Sequence, residues 1–441
     1  MVMKYEKIKS IVLTLLVCLS IFLTFNLWTY QPGYDTIDSN EAFDVSVGEK
    51  IEQTNLAKVL IKPYQLFYHS ANKTLGTLDG KEMNSVIKGL SSWTLFDLKD
   101  YSNQYSKDEM RSIIQGAQKV EIIFPDSVPL SVYSRVIHFE DKNIPTASFD
   151  RIVIDLNTVN SDTGTIYFAA LDSGKKYFYE CRVNVESLQK FEKSFLKQVA
   201  SYDEYIEQPL NSKKNIFLPR LPKEYKSYRF YADTLSLEDF KKALFSDPNN
   251  VEVTKNTFIN IPSVMKTYDE YSTLSYINLS VENDASMPPA TLFQKSMEYV
   301  NDHGGWTDDY HFYSISSVEN KIVYRLFMEN HPVFNENNMA ELTQEWGSNS
   351  ISKYERPYFT LDMVSKNAIR DVQLPSGASV LYALKKNSPK ELEEIEDIVV
   401  GYKMTRDTNE SNRKFLLFEP SWYYKFSGNW IRVPLEELEG F

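Results

Sequence analysis

Residues 302–311, with the sequence DHGGWTDDYH, are the densest group of side chains that could carry out chemistry in this 441-residue chain. Imidazole and carboxylate groups are common zinc ligands, so these histidines and aspartates could in principle meet around a metal ion. The alternative is a helix C-terminus, with His303 favourable to the helix dipole, Gly304 and Gly305 as the C-cap, and a polar turn into a strand. The pattern favours the helix end, and we predict no metal site and no cofactor.

Other short patterns also fail to assemble an active site. Ser-x-x-Lys spacing, which penicillin-binding enzymes use to activate a serine, begins at Ser85, Ser173 and Ser263, but the companion S-D-N and K-T-G motifs are absent. Chance explains these matches, since the chain is rich in both residues. The sequence also lacks phosphate-binding glycine loops, H-E-x-x-H and the G-x-S-x-G elbow. We therefore predict that the protein is not an enzyme.

Two remaining candidates have simpler explanations. The acidic run at residues 391–397 could bind Ca²⁺, but it lacks EF-hand spacing and is more typical of a solvated surface. Cys181 lies inside a predicted strand without a partnered histidine nearby, so we expect a small apolar packing residue.

The chain begins with a leader that predicts a single membrane-spanning helix. No charged residue occurs from Ile11 to Trp28, a segment that spans roughly 27 Å at about 1.5 Å per residue, close to the hydrocarbon thickness of a bilayer. Signal peptidase needs small residues at its cleavage site, whereas large residues follow this segment. Val17 argues against lipidation of Cys18. We predict a retained anchor over residues 10–30 in the cell membrane.

Charge and side-chain size predict how this anchor is oriented and what it contacts. Three lysines precede the apolar segment, so the positive-inside rule keeps residues 1–9 in the cytoplasm and places the bulk of the chain outside the cell. Small or weakly polar side chains share an arc of about 160° on the helix, and such residues permit close helix packing in a bilayer. The predicted partner-binding arc consists of Ser10, Thr14, Cys18, Ser20 and Thr24. The alternative is that its hydroxyls bond only to their own helix.

The net charge of the chain excludes some partners. It is −12, and the exported part is more acidic still because the leader is basic. Such a body is repelled by nucleic acid and by anionic lipid headgroups. Cys181 is the only cysteine of the exported part, so no disulfide forms within it and the fold rests on core packing.

Breaks in the sequence pattern divide the exported part into three predicted domains. Residues 31–208 form a first α+β domain. Prolines at 209, 219 and 222 mark an ordered linker that starts a second α+β domain over 209–333. An asparagine-rich stretch then opens a strand-rich third domain over 334–441. Short turns between strands imply antiparallel sheets with helices on one face, so the predicted fold class is α+β behind one transmembrane helix.

Several elements can be predicted individually. A strand pair is expected at 58–61 and 64–69, and a hairpin is expected to turn at Glu319 and Asn320. Helices are predicted over residues 79–91 with Asp79 as the cap, from a capping box at Ser106, and over 185–202, 236–245 and 289–301. The helix from Val185 is expected to bury Leu188, Phe191, Phe195, Leu196 and Val199.

The aromatic segment near the C-terminus allows two interpretations. Trp422, Tyr424 and Phe426 share one face of a strand, while Tyr423 and Lys425 share the other. One set fills a core, or the segment presents an exposed stripe to a partner. The first interpretation is favoured.

The leader, with IKSIVLTLLV running into NLWTYQP, resembles the start of the YycH (WalH) family, and the aromatic ending and overall length are similar too. This resemblance implies a single-span membrane protein with a three-domain extracytoplasmic body. It also implies two partners, a YycI-like single-span membrane protein and a WalK-type sensor histidine kinase that controls cell-wall metabolism. The sign of the regulation does not follow from the resemblance.

The sequence therefore predicts a membrane-anchored regulator of a sensor kinase that acts by protein contact. The alternative is an anchored cell-wall hydrolase or ligand-binding protein whose site is assembled from distant residues. That alternative requires a deep pocket with converging carboxylates or a ligated metal.

Overall fold

The computed structural model describes residues 16, 20, 46–171, 176–210, 215–282, 286–387, 394–407 and 414–434. Leu16 and Ser20 are helical, and the described residues from 46 onward belong to one compact unit. In these described ranges no helix is both long and apolar enough to cross a bilayer. Most of the predicted anchor lies outside them and stays a prediction.

Eight α-helices are present in the described residues. In chain order they are α1 Leu56–Leu60, α2 Gly80–Leu90, α3 Lys107–Ile114, α4 Leu130–Tyr133, α5 Val185–Val199, α6 Leu237–Leu244, α7 Pro289–Asp302 and α8 Gly377–Asn387. Short 3₁₀ turns occur at Gln53–Asn55, Leu156–Asn160, Pro248–Asn250 and Lys366–Ala368.

The first sheet contains ten described strands: β1 Gln65–His69, β2 Thr74–Thr77, β3 Thr94–Asp100, β4 Lys119–Pro129, β5 His138–Phe139, β6 Ser148–Asp155, β7 Thr163–Ala170, β8 Tyr177–Asn184, β9 Asp203–Pro209 and β10 Asn215–Pro219. Their order is β10-β9-β2-β1-β4-β6-β7-β8-β3-β5. Neighbouring strands are antiparallel apart from β3 and β5, which are parallel.

The second sheet contains fifteen described strands: β11 Lys223–Thr234, β12 Glu252–Thr254, β13 Thr257–Asn260, β14 Ser263–Tyr268, β15 Thr273–Asn278, β16 Tyr310–Ser316, β17 Lys321–Met328, β18 His331–Phe334, β19 Glu341–Trp346, β20 Ile351–Pro357, β21 Phe359–Val364, β22 Arg370–Leu374, β23 Ile395–Arg406, β24 Phe415–Phe426 and β25 Asn429–Arg432. The main order is β12-β13-β14-β15-β20-β19-β17-β18-β23-β24-β11-β21, with β16 beside β17, β22 beside β11 and β25 beside β24. Only β18 and β23 pair in parallel among these strands.

Helix starts follow the predicted capping signals. The Asp79 carboxylate accepts hydrogen bonds from the N–H groups of Lys81 and Glu82, which satisfies two otherwise unpaired donors at the start of α2. Ser106 and Glu109 form the predicted capping box at the start of α3. These local predictions are confirmed.

Two other local predictions are wrong. Residues 58–60 lie in helix α1, because Leu56 and Leu60 enter the core at helical spacing. Leu196, predicted to be buried by α5, is 39% exposed, although the other four predicted side chains are buried. The predicted extended, ordered linker at 209–222 contains strand β10, which pairs along its whole length with β9 of the first sheet. Its prolines lie at strand ends, where a missing N–H costs least.

The two predicted domains after residue 209 share one sheet. β11 pairs with β24, and β17 pairs with β18 immediately before the predicted boundary at residue 334. The division into three domains itself stays a prediction.

Helices cover both faces of the first sheet rather than one: α2 and α5 share a core with Ile152 and Ile154, whereas α3 packs on Val153 from the other side.

A layer of mostly aromatic side chains joins the two sheets, and we call it the aromatic layer. The first sheet contributes Phe67, Ile123, Tyr205 and Phe217, and the second contributes Tyr313, Phe327, Phe334, Val399 and Tyr423. Trp422 and Tyr424 point the other way, into a core with α8. Both faces of the C-terminal aromatic strand are thus buried, and the favoured core interpretation is confirmed.

The first described segment after the leader is fastened to the end of α7. The Asn301 side-chain amide donates to the Ile51 carbonyl at 2.9 Å, and its oxygen accepts the Ile51 N–H at 2.8 Å. The N–H of Val47 donates to the His303 carbonyl at 2.8 Å. The chain therefore enters the folded body at this end of α7.

Removing Phe334 should weaken the joint between the sheets. Phe334 is 5% exposed and packs in the aromatic layer, so Phe334→Ala should lower the free energy of unfolding by about 3–5 kcal/mol. Val318→Ala, at a side chain 90% exposed, should change it by less than about 0.5 kcal/mol. Urea unfolding followed by tryptophan fluorescence measures both. Equal small effects would mean that the sheets do not depend on this layer.

Candidate partner-binding groove

A groove of about 1420 Å³ lies along the open side of the aromatic layer. Its lining comes from elements distant in sequence: the end of β4, the β14–β15 turn, the hairpin of β16 and β17, the segment after β18, and β23 to β25. Because the two sheets bring these elements together, the groove exists only in the folded chain. We call it the groove.

Phe334 is the centre of the groove floor. It stacks on Tyr423 with the ring centroids 4.1 Å apart and the planes 27° apart. The Trp430 ring lies 5.3 Å from Phe334 and 6.3 Å from the Tyr313 ring. Gly401 makes this floor possible, because a Cβ at that position would approach the Phe334 ring to 2.4 Å. The floor is thus a cluster of four aromatic rings, of which Trp430 is only partly buried.

Among the buried lining residues that the structure describes, Arg325 is the only cation, and it lies in this floor. Its guanidinium lies 4.3 Å from the Tyr313 ring centroid and 4.5 Å from that of Phe334. It donates to the Val333 carbonyl at 2.8 Å and pairs with the Glu341 carboxylate. A buried charge needs such partners to offset its lost hydration, so this arrangement fixes the position of the floor.

Charged side chains of both signs surround the floor. The basic ones are Lys321, Lys403, Arg406, Lys414, Lys425 and Arg432, and the acidic ones are Asp126, Asp269, Glu270, Glu319, Glu336 and Asp407. Some are paired, such as Asp407 with Arg229 at 2.9 Å, whereas Lys403 and Glu336 have no ion-pair partner in the described part of the chain. An aromatic centre with arginine and a polar rim is the usual composition of a protein–protein interface.

The predicted helix end at residues 302–311 is confirmed. His303 directly follows α7, and Gly304 adopts a φ of +62°, the left-handed conformation that glycine favours at a C-cap. The two histidines face different surroundings: His303 Nε2 lies 3.4 Å from the Tyr354 hydroxyl, and His311 Nε2 lies 2.8 Å from an Asp309 carboxylate oxygen. Throughout the described ranges, no three His, Cys, Asp or Glu side chains are placed to share a metal ion.

The other sequence candidates fall outside the groove or into structural roles. Ser85 lies in α2, Ser263 bonds to the Tyr276 hydroxyl at 2.8 Å, and Ser173 lies outside the described residues. Glu396 of the acidic run pairs with Lys425 at 3.4 Å, while residues 391–393 lie outside the described ranges.

Cys181 behaves as a packing residue. It is fully buried in β8, and burial raises the pKa of its thiol, so the reactive thiolate is disfavoured. That prediction is confirmed. Of the predicted membrane arc, Ser20 is helical, and Ser10, Thr14, Cys18 and Thr24 lie outside the described residues. The role of the arc stays a prediction.

A second polar cluster lies inside the first sheet, and the sequence analysis did not find it. The Glu121 carboxylate, fully buried, bonds to His69 Nε2 at 2.8 Å and to Arg151 at 2.8 Å. Arg151 also donates to Asp150 at 2.6 Å. Burial raises the pKa of Glu121, but the His69 hydrogen bond and the Arg151 charge outweigh burial and lower it overall. These residues satisfy one another and present no open chemistry.

His331, on the hairpin that carries Phe334, is buried beside the rings of Tyr225 and Tyr402. The Glu329 carbonyl lies 2.6 Å from Nδ1 and can only accept, so Nδ1 donates and Nε2 is the unprotonated nitrogen. Nε2 has no hydrogen-bond partner among the described residues. Burial lowers the pKa of His331 to about 4, although the hydrogen bond to Glu329 acts in the opposite direction.

Comparison with known proteins gives matches over both halves of the chain. The family model described as "YycH protein, N-terminal domain" matches residues 6–200, and "YycH protein, C-terminal domain" matches residues 213–440. The Bacillus subtilis (strain 168) protein named "Two-component system WalR/WalK regulatory protein YycH" is 26% identical over 458 residues, covering 99% of this chain and 98% of that protein. The crystal structure of YycH from Bacillus subtilis is similar in fold, with a TM-score of 0.75 and 22% identity over 89% of this chain and 100% of that chain.

The buried histidine should make stability depend on pH. The pKa of His331 is lower in the folded state than the unfolded value of about 6.5, so the unfolded chain binds more protons and stability falls as pH drops from about 6.5 toward 4. His331→Asn keeps a donor near the Nδ1 position but cannot titrate. Between pH 7.5 and pH 5, the free energy of unfolding of His331→Asn should therefore fall by up to about 2 kcal/mol less than that of the wild type.

Urea unfolding at a series of pH values measures this difference. His138→Asn, at an exposed position, is the matched control and should retain the wild-type pH dependence. The same pH dependence in His331→Asn and the wild type would contradict a neutral buried His331.

Proposed function

This chain belongs to the YycH family, and on that premise we propose that it is a membrane-anchored regulator of a WalK-type sensor histidine kinase that controls cell-wall metabolism. It acts outside the cytoplasm by contact with the kinase and with a YycI-like single-span protein. The support for the kinase system is the name of the Bacillus subtilis relative, which is a regulatory protein of the WalR/WalK two-component system.

The anchor in this proposal is the leader. Its uncharged segment is long enough to span a bilayer, and the basic residues before it favour a cytoplasmic N-terminus and an extracellular body. The two hydrogen bonds between Asn301 and Ile51 hold the first described segment after the leader against the end of α7.

The observation that carries the proposal of contact is the groove. Its aromatic floor and two-signed charged rim match the central and peripheral parts of protein interfaces. Two carboxylates of the groove are held by hydrogen bonds: Asp126 accepts the N–H groups of Ser127 and Ile315, and Asp269 accepts the Tyr358 hydroxyl. These bonds favour positioning roles over acid–base chemistry.

Truncating Trp430, the partly buried aromatic residue of the groove, should weaken kinase capture. Trp430→Ala removes a large side chain from the floor, and such central aromatic residues typically contribute at least 2 kcal/mol, so recovery of the kinase should fall by about tenfold or more. The measurement is co-purification of the kinase with the full chain from crosslinked membranes. Tyr382→Ala, at a 53% exposed aromatic on α8, is the control. Equal recovery with both variants would exclude the groove as the kinase site.

The membrane arc makes a separate contribution in this proposal. Replacing Thr14, Cys18 and Ser20 together by leucine should weaken partner capture and change kinase output, because bulky side chains prevent close helix approach. The control replaces three leucines of the opposite face, Leu15, Leu19 and Leu23, by isoleucine and should do neither. Equal behaviour at matched membrane levels would reduce the leader to a passive tether.

A further inference from the structure

The outer face of the second sheet carries an aliphatic surface that the groove does not include. Alternate side chains of β13, β14 and β15 enter the core, as Phe258, Met265 and Tyr276 do. The intervening side chains face outward, away from the helices. Three of them are direct cross-strand partners: Ile259, Val264 and Ile277.

Two more aliphatic side chains extend this surface past the strand ends. Ile261 is 82% exposed in the turn between β13 and β14, and Leu279 is 68% exposed just after β15. The Leu279 N–H donates to the Pro262 carbonyl at 3.0 Å, which holds the two segments side by side. We call these five side chains the aliphatic face: Ile259, Ile261, Val264, Ile277 and Leu279. Contiguous exposed apolar patches on soluble proteins often mark contact sites.

Charges flank the aliphatic face symmetrically. Glu252 on β12 is opposite Ile259, and Lys353 on β20 is opposite Ile277. One cross-strand row thus places a carboxylate and an ammonium group two strands to either side of Val264, each roughly 10 Å away. Between Glu252 and Lys353 the row carries only aliphatic side chains. Within the chain Lys353 also pairs with Glu355 at 3.0 Å and lies opposite Glu345 of β19, so a partner's carboxylate would share this ammonium group with them.

We propose that the aliphatic face binds a second copy of this chain, sheet against sheet, about a two-fold axis parallel to the strands and above Val264. This axis places Glu252 of each copy opposite Lys353 of the other, so both charged ends are complementary. It also places Ile259 opposite Ile277 of the other copy. Face-to-face sheets pack about 10 Å apart, which suits aliphatic side chains of this size.

Two like-charge approaches oppose this pairing: Lys266 with its own copy, and Glu252 with Glu355 of the other copy, which pairs with Lys353 at 3.0 Å. Lys266 lies two residues from Val264 on the same face and would face its own copy near the axis. Its ammonium group lies 5.0 Å from the Tyr268 ring, further along the strand. Across about 10 Å between sheets, comparable to the Debye length, the repulsion is strongly screened.

The size of the aliphatic face predicts where the dimer is populated. Five partly exposed aliphatic side chains bury far less than the roughly 800 Å² per partner of a stable interface. We therefore expect weak self-association of free chains. On a shared membrane the effective concentration is much higher and the contact forms. This last step rests on the proposed anchor, whereas the register of the contact does not.

Cysteine crosslinking of the full chain in protoplast membranes tests the register. Val264→Cys faces its own copy near the axis, so a membrane-impermeant bis-maleimide spanning about 10 Å should link two chains. The buried Cys181 does not compete for the reagent. Val318→Cys, at the 90% exposed valine of another turn, is the control. We expect at least about fivefold more crosslinked dimer from Val264→Cys, since only this position faces its copy across the axis.

The decisive test reverses the charges at Glu252 and Lys353. Glu252→Lys or Lys353→Glu, added to Val264→Cys, should each lower the dimer yield about threefold or more, and both together should restore it. Crosslinking no better than the control, or no restoration by the double reversal, would overturn the proposal. Kinase capture is measured in the same membranes. Chains that capture the kinase but do not crosslink to each other would contradict this inference and leave the proposed function intact.

Discussion

The rest of the structure depends on the contact between Phe334 and the rings around it. This side chain belongs to the short strand β18, yet it meets Tyr423, Trp430 and the Arg325 guanidinium at once. The same cluster contains Phe67 and Phe217 from the first sheet, so one set of rings both holds the two sheets together and forms the groove floor. Burial of large aromatic surface is therefore the stabilising term that also shapes the groove.

This aromatic packing stabilises the fold without a disulfide among the described residues. The described cysteine is buried and unpaired, and the charges inside the body are grouped so that each finds partners. Arg356, one of the largest fully buried side chains, donates to the Gly305 and Pro357 carbonyls and lies over the Phe240 ring. Such buried cations cost hydration energy, and the surrounding acceptors offset it only in one geometry. The body is thus specific in its packing.

Local sequence signals predicted much of the secondary structure but not the site. Asp79, the Ser106 capping box and the Gly304 helix end act within a few residues, and all three are present in the fold. The strand predicted at 58–61 is wrong because a four-residue apolar segment fits either period, and packing of Leu56 and Leu60 selects the helix. Tyr313, Arg325, Phe334 and Trp430 could not be grouped from sequence, because the sheet order that unites them depends on long-range pairing. The continuous second sheet was missed for the same reason: β11 and β24 are nearly two hundred residues apart.

The claim that the groove contacts the kinase is most directly tested by placing a photoreactive side chain at its rim. A benzophenone amino acid at the exposed Asn429, in the full chain on its own membrane, reports what lies within a few ångströms of the groove. The reference position is Leu221, which is 71% exposed and outside the groove lining. The account predicts a covalent product with the kinase's extracellular part from position 429 and none from 221. Equal yields at both positions, or no kinase product from 429, would contradict it.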